Sequence, residues 1–438
     1  MALFAGKPIK HVTTIRERDK ALIFDIIRRS GPLSRAQIQQ MVDLRPATIS
    51  HVTRELMSEG GIREAGLSDN PTGRKQILLE MNRDAGVILA VDCDAENIMV
   101  GALNYVPAFI HPIHSEKTDL LHGAEGLVAQ MFRCVREMMN AAGIAQSSIL
   151  GIGVGDPGMV DTQSGLSVMA ATIDFWRNIP LRQLFEQEFG VRCVVVNNTR
   201  SRTIAEQMLG AGERSDDLIF VQYGRGIGAG IVSGGRMIQG CSWAAGEFGH
   251  IHVSENGPPC KCGSFGCIEA LADIGAMEAR LKKAIISGGF SVCVKMAGGD
   301  IDRITGWHVL EAARLGDKMS IVIAEEMAEC LGRGIANLIN LFNPSLILLD
   351  KRLALAGDLV LDQVIRTVKR QALAYSVQSV SCRFSSLEDA NLLGAALVVL
   401  EDKFEVPTVK PRLFGADRHA EKDPEISHQR LVSDAPIF

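Results

Sequence analysis

From Asn82 to about residue 402 the chain alternates short apolar runs with helical stretches, and nothing else in it limits the possible folds so strongly. VILAVD (87–92), IMVGAL (98–103) and AFIHPI (108–113) read as three successive strands. A helix over about 123–142 follows, then the strand ILGIGVG (149–155). The theme returns with CVVVNN (193–198), a helix from Arg200 to Leu209, LIFVQYG (218–224), and GAGIVSGG (228–235) with its turn. Long helices through Met319–Leu341, the strand SLILLD (345–350) and a closing helix at Asp389–Glu401 complete the series. A pattern that runs twice implies an α/β protein with two lobes of related design. In such folds the ligand sits in the cleft between lobes.

The totals exclude several classes. A length of 438 residues allows two or three domains. With 47% hydrophobic and 22% charged residues the core is large enough to need no metal to hold it together. The net charge of −5 argues against a wholly basic nucleic-acid protein, though not against a basic module within an acidic chain. No apolar run approaches the roughly 18 residues of a membrane span. The opening MALFAGKPIKHVTTIRERDK lacks the continuous apolar region of a signal peptide. Most cysteines are scattered, from Cys93 to Cys382, and suit buried thiols in a reducing cytoplasm better than a disulfide framework.

Residues 1–83 have a different texture. Leu22, Ile23, Ile26 and Ile27 recur at helical spacing and stop before Gly31-Pro32. Ser34, with Gln37 three residues on, opens a second helix with a capping box. Pro46 suits the first position of a third helix, PATISHVTRELMSEG, whose inner face carries Ile49, Val52, Leu56 and Met57. A strand, a turn around Asn70–Gly73 and a second strand then form a hairpin. Three helices followed by a basic hairpin predict a winged helix-turn-helix. Its candidate DNA contacts are Thr48, Ser50, His51 and Arg54 on the third helix, Arg45 at its entrance, and Arg74 and Lys75 on the wing. The plainer alternative is a small helical domain with a solvated face.

The stretch HIHVSENGPPCKCGSFGC, His250 to Cys267, places an imidazole and three thiols at His250, Cys260, Cys262 and Cys267. That Cys3His set is one tetrahedral structural zinc prefers. Buried free cysteines are the alternative, but three within eight residues, among Gly, Pro and Lys, do not look like core. Glu247 precedes the stretch and Glu269 follows it.

Over about residues 16–402 the chain resembles the ROK family, the group of repressors, open reading frames and kinases. The residues that carry the likeness are Gly226-Ile-Gly-Ala-Gly230, Glu247-Phe-Gly-His250, Cys260-Lys-Cys-Gly-Ser-Phe-Gly-Cys267-Ile-Glu269 and Asn343-Pro344. The resemblance implies a two-lobed, actin-like (ribonuclease H-like) domain of the sugar-kinase type over 84–403. Lobe one would span about 84–197 plus the helix at 389–402, and lobe two about 198–388. Residues 404–438 are expected to form a mobile tail. The family's sugar contacts fall on Asn198, Glu247, His250 and Glu269, with His250 able to meet the metal through one ring nitrogen and a hydroxyl through the other.

Relative to ROK kinases the chain departs at four places. The turn after the first strand, Asp-x-Gly-x-Thr in kinases, is Asp92-Cys93-Asp94-Ala95-Glu96. The Asn-Asp that carries the catalytic base is Asn198-Thr199, and threonine cannot accept a hydroxyl proton near neutral pH. Gly-Thr-Gly is Gly224-Arg225-Gly226, and the double glycine near adenosine is Asp350-Lys351. No catalytic residue, no ATP and no useful kinase activity are therefore expected. The resemblance implies a cytoplasmic, sugar-responsive transcriptional regulator, a repressor, acting as a homodimer or homotetramer on a palindromic operator. The alternatives are an active sugar kinase with a DNA-binding domain, or a regulator held by a sugar-transport protein.

Overall fold

A computed structural model of the protein describes residues 15–69, 75–213 and 215–404. Helix α1 (Ile15–Ser30) is followed by the short strand β1 (Leu33–Ser34) and helix α2 (Arg35–Met41). At the start of α2 the Gln37 amide donates to Ser34 Oγ at 3.2 Å, and the Ser34 amide donates to Gln37 Oε1 at 2.8 Å. Helix α3 (Pro46–Ser58) begins on its proline and buries Ile49, Val52 and Leu56. Arg35 ties α2 to α3 by donating to Thr53 Oγ1 at 2.8 Å. Strands β2 (Ile62–Leu67) and β3 (Ile77–Met81) pair antiparallel, and β1 adds to β3. The hairpin turn, including Arg74, lies outside the described residues.

Strands β4 (Val87–Cys93), β5 (Asn97–Leu103) and β6 (His114–Lys117) form an antiparallel meander. The expected strand at 108–113 is not one. Its single bridge joins Phe109 to Leu103, and regular pairing resumes only at His114. Pro107 and Pro112 bracket the segment, and a residue without an N–H cannot support a ladder. Helix α4 (Gly123–Ala141) leads to β7 (Ile149–Asp156), which pairs parallel with β4. A small sheet of β8 (Met159–Asp161), β9 (Leu166–Met169) and β10 (Arg177–Ile179), absent from the sequence reading, comes next. The buried Asp156 anchors it by accepting from Trp176 Nε1 at 2.8 Å and Ser167 Oγ at 3.0 Å. Helix α5 (Leu181–Phe189) and strand β11 (Cys193–Asn197) complete a sheet ordered β11-β7-β4-β5-β6.

Helix α6 (Asn198–Leu209) crosses to the second sheet, built from β12 (Leu218–Gln222), β13 (Gly228–Ser233) and β14 (Arg236–Met237). Helices α7 (Ile268–Ala272), α8 (Ile274–Ile286), α9 (Cys293–Met296), α10 (Gly306–Arg314) and the long α11 (Lys318–Phe342) lead to β15 (Leu346–Leu349). Helices α12 (Leu359–Gln371) and α13 (Ala374–Ser379) precede β16 (Ser381–Phe384), and α14 (Ala390–Phe404) closes the described chain. The second sheet is ordered β14-β13-β12-β15-β16. In both sheets the first three strands run antiparallel and the last two join parallel, so one topology is used twice.

Helix α14 returns to pack on α6. At Gly394 a side chain would lie 1.8 Å from the Ser201 carbonyl, so only glycine permits this approach. One apolar cluster joins Phe24, Ile27, Ile49 and Leu56 of the N-terminal helices to Ile88 and Ala90 of β4 and to Leu397 of α14. Within it the rings of Phe24 and Tyr105 meet edge-on, 6.4 Å between centroids. No helix among the described residues is long and apolar enough to cross a membrane.

Candidate functional site

After β14 the backbone folds back on itself around the Cys-rich stretch. His252 bridges to Cys267 and Pro259 to Phe265, while the Cys260 amide donates to the Ser264 carbonyl at 2.8 Å. This double turn brings His250, Cys260, Cys262 and Cys267 together, with one donor atom of each within 4.8 Å of the others. His250 Nδ1 lies 3.6 Å from Cys260 Sγ, and Cys262 Sγ lies 3.8 Å from Cys267 Sγ. These separations are near the edges of a tetrahedron of metal–sulfur bonds about 2.3 Å long. The four donors therefore fit one thiophilic ion.

The other ring nitrogen of His250 faces away from the thiols. Nε2 lies 3.8 Å from Glu247 Oε2, so one imidazole spans the metal cluster and the first carboxylate. Glu269, in the first turn of α7, is buried, and its Oε2 accepts from the Ile227 amide at 3.1 Å. The Glu247 side chain stays open to water, at 49% exposure. Burial raises its pKa; the His250 ring opposes that, and the charge of Glu269 adds to it. Gly246, at φ +95°, turns the chain into Glu247 where a side chain would meet the Ala229 carbonyl at 2.0 Å. Asn198 is buried as the first residue of α6.

Sequence reasoning missed Arg200, two residues beyond Asn198. Its buried guanidinium donates to the carbonyls of Gln239 at 3.2 Å, Trp243 at 2.6 Å and Ala245 at 3.4 Å. It thereby holds the loop before Glu247, in which Trp243 takes a left-handed φ of 63°. The available signal was an arginine in the first turn after a strand, next to a candidate site residue.

The four positions that depart from the kinase pattern lie around the ends of β4, β11, β12 and β15. In the β4–β5 turn Asp94 Oδ1 accepts from the amides of Glu96 at 2.7 Å and Asn97 at 2.8 Å. Arg225 Nε, in the β12–β13 turn, meets Glu96 Oε1 at 3.1 Å, and its Nη2 lies 3.5 Å from Glu278. Thr199 donates its hydroxyl to Gln222 Oε1 at 2.7 Å. Asp350 binds Arg352 at 2.7 Å and lies 3.8 Å from Arg202, which is also 4.0 Å from Asp92. Burial disfavours the Asp350 charge, but Arg352 and Arg202 prevail and hold its pKa below the ordinary value. Asp92 has the opposite balance. Burial outweighs Arg202 and the Asn391 amide, and its pKa is pushed up to about 6.

On α3, His51 and Arg54 are exposed on the face opposite Ile49, Val52 and Leu56, and Arg45 is exposed at the N-cap. Thr48 and Ser50 are half-buried at the shoulders of that face. Lys75 is exposed at the foot of β3. Arg16 and Lys20 of α1 pair with Glu55 at 2.9 and 3.5 Å and so fix one edge of α3.

The model of the ROK family matches residues 115–402. The chain belongs to the ROK family. Among ROK relatives it is 31% identical to the DNA-binding transcriptional dual regulator NagC of Escherichia coli K12, over 89% of this chain and 94% of that protein. It is 29% identical to the xylose repressor of Caldicellulosiruptor bescii, over 90% of this chain and 98% of the repressor. A crystal structure of a ROK family transcriptional regulator, a homologue of the E. coli MLC protein, superposes with a TM-score of 0.77. That pair is 24% identical and covers 90% of this chain and 98% of the other. The two sheets of matching topology are thus the actin-like, sugar-kinase-type domain of a ROK protein.

Proposed function

We propose that this chain is a DNA-binding transcriptional regulator of sugar genes, a repressor, whose ROK domain senses a sugar and catalyses nothing. What chiefly supports this reading is the Arg225–Glu96 ion pair, at the two turns where ROK kinases approach phosphate. The pair, with the Asp94 carboxylate on its own turn amides, occupies the groups a triphosphate would need. Thr199, at the position of the base, spends its proton on Gln222 and has no carboxylate to offer.

The sugar-facing side keeps its chemistry. Asn198, Glu247, His250 and Glu269 supply an amide, two carboxylates and an imidazole for hydroxyl groups. His250, Cys260, Cys262 and Cys267 would hold zinc through three thiolates and Nδ1, leaving Nε2 toward Glu247 and the sugar. When bound, the ion supplies rigidity rather than reaction chemistry. Residues 1–83 are the winged helix-turn-helix and α3 the reading helix, with His51, Arg54, Arg45, Thr48, Ser50, Arg74 and Lys75 toward DNA. A twofold dimer presents two such helices, so its operator is palindromic. Sugar shifts DNA affinity only by its difference in affinity for two lobe arrangements. The protein works in the cytoplasm, on the nucleoid when bound.

The test pairs calorimetry against a sugar panel with gel shift on an operator fragment and a coupled ATP assay. Binding of one sugar, a change in DNA affinity and no turnover are expected. Turnover would establish the kinase alternative, and a sugar that binds without changing DNA affinity would remove the sensor. A pulldown of a sugar-transport protein that depends on the metal would favour the third reading.

A further inference from the structure

On the far edge of the first sheet a second set of metal-ligating side chains faces helix α4. His114 and Glu116 are two apart on β6 and therefore point to one side of the strand. Cys134 and Glu137 lie three apart on α4 and share its facing surface. His114 Nε2 is shielded from solvent and has no hydrogen-bond partner among the described residues. Cys134 is fully buried, while His114 keeps 30% exposure, so the cluster has a closed floor and an open entrance.

One donor atom each of His114, Glu116 and Cys134 lies within 4.8 Å of the others, and Glu137 adjoins the group through His114. His114 Nε2 lies 3.4 Å from Glu137 Oε2 and 3.9 Å from Glu116 Oε2, and Glu116 Oε2 lies 3.3 Å from Cys134 Sγ. Bond lengths of about 2.0 Å to nitrogen and oxygen and 2.3 Å to sulfur give tetrahedral edges of about 3.3 and 3.5 Å. Arg133 orders both carboxylates from outside. It donates to Glu116 Oε1 at 2.7 Å and to Glu137 Oε1 at 3.1 Å, so each carboxylate keeps its second oxygen for the cluster. An arginine that served only to neutralise a surface acid would not need to hold both at the same edge. An outer partner that aims ligands at a common point is the usual accompaniment of a metal centre.

We infer that His114, Glu116 and Cys134 form a second site for a thiophilic divalent cation, of which zinc is the type, between β6 and α4, with Glu137 beside His114 at its entrance. The donor set of one imidazole, one thiolate and one carboxylate, with a position left open, matches zinc chemistry. It does not suit calcium or magnesium, which take oxygen alone. The site shares no residue with the Cys3His cluster and does not depend on the proposed function.

Full-length protein stripped with a chelator, refilled with Zn2+ and passed through a desalting column is assayed for zinc by elemental analysis. Wild type is expected to retain two zinc ions per chain, and Cys260→Ser one. His114→Gln and Cys134→Ser are each expected to retain one, in the Cys3His cluster. Arg133→Ala is expected to bind the second ion about 10- to 100-fold more weakly, as the loss of an outer partner does. Because Cys134 is buried and its variant risks misfolding, His114→Gln, on the open side, is the deciding variant. A wild type that retains one ion, or a His114→Gln protein that retains two, overturns the site.

Discussion

Arg225 and Glu96 join the β12–β13 turn of one sheet to the β4–β5 turn of the other through a contact of 3.1 Å. Both replace residues that the kinase pattern keeps small, and each supplies the charge that the other needs. The ion pair is about half exposed, at 47% and 37%, so it contributes little to stability. A double-mutant cycle of Arg225→Ala and Glu96→Ala, read by urea unfolding, is expected to give a coupling of about 1 kcal/mol or less.

Restoring the base should not restore catalysis. Thr199→Asp puts a carboxylate beside Gln222 but leaves Arg225, Glu96 and Asp94 in the phosphate positions. The variant is expected to show no sugar-dependent ATP consumption in a coupled assay. Measurable turnover would mean that the phosphate turns still function.

Metal removal should be felt at the proposed sugar site before it is felt in the fold. His250 links Cys260 to Glu247, whereas most of the second-sheet core comes from α8, α10, α11 and α12, with Phe248 and Ile268 its members beside the metal donors. Cys260→Ser or His250→Ala is expected to lose zinc from that cluster together with the effector's influence on DNA binding, with the circular dichroism spectrum preserved. A response that outlives the metal would leave the loop as a local staple only.

Asp92 predicts a pH dependence. Its carboxyl is raised to about 6 in the fold from 3.8, so the neutral form is the one the native state prefers. Its contribution is complete below about pH 4, and it fades as pH rises through 6, with a slope of at most about 1.4 kcal/mol per pH unit. Asp92→Asn should remove this part of the profile. Urea unfolding of both proteins from pH 4 to 7 should give a difference that favours the variant increasingly toward pH 6 and is constant above it.

On α3, Arg54→Ala should weaken operator binding by about 1–3 kcal/mol, and Arg74→Ala should do so as well. Zinc content should not change. Unaltered gel shifts in both would move the reading surface elsewhere.

Much of this was legible because it is local. The capping box at Ser34, Pro46 at the head of α3 and the four candidate metal donors are each fixed by residues within a short span, and the fold keeps them together. The strand expected at 108–113 failed because apolar content was weighed without the two prolines that bar its pairing. The β8–β10 sheet escaped notice because its strands are short and depend on Asp156, a buried carboxylate whose partners Ser167 and Trp176 lie 11 and 20 residues away. Arg200 and the partnership of Arg225 with Glu96 are relations between distant segments, and no local pattern announces them.

The apolar cluster that runs from Phe24 through Tyr105 to α14 bears on modularity. A head joined to its body by buried side chains is not a cassette. Cut after residue 83, the N-terminal unit would bare the Phe24 surface to water, and transplanted onto another body it would need a matching ring at position 105. The same shared interior would carry any tilt of the first sheet directly into the packing of α1 and α3.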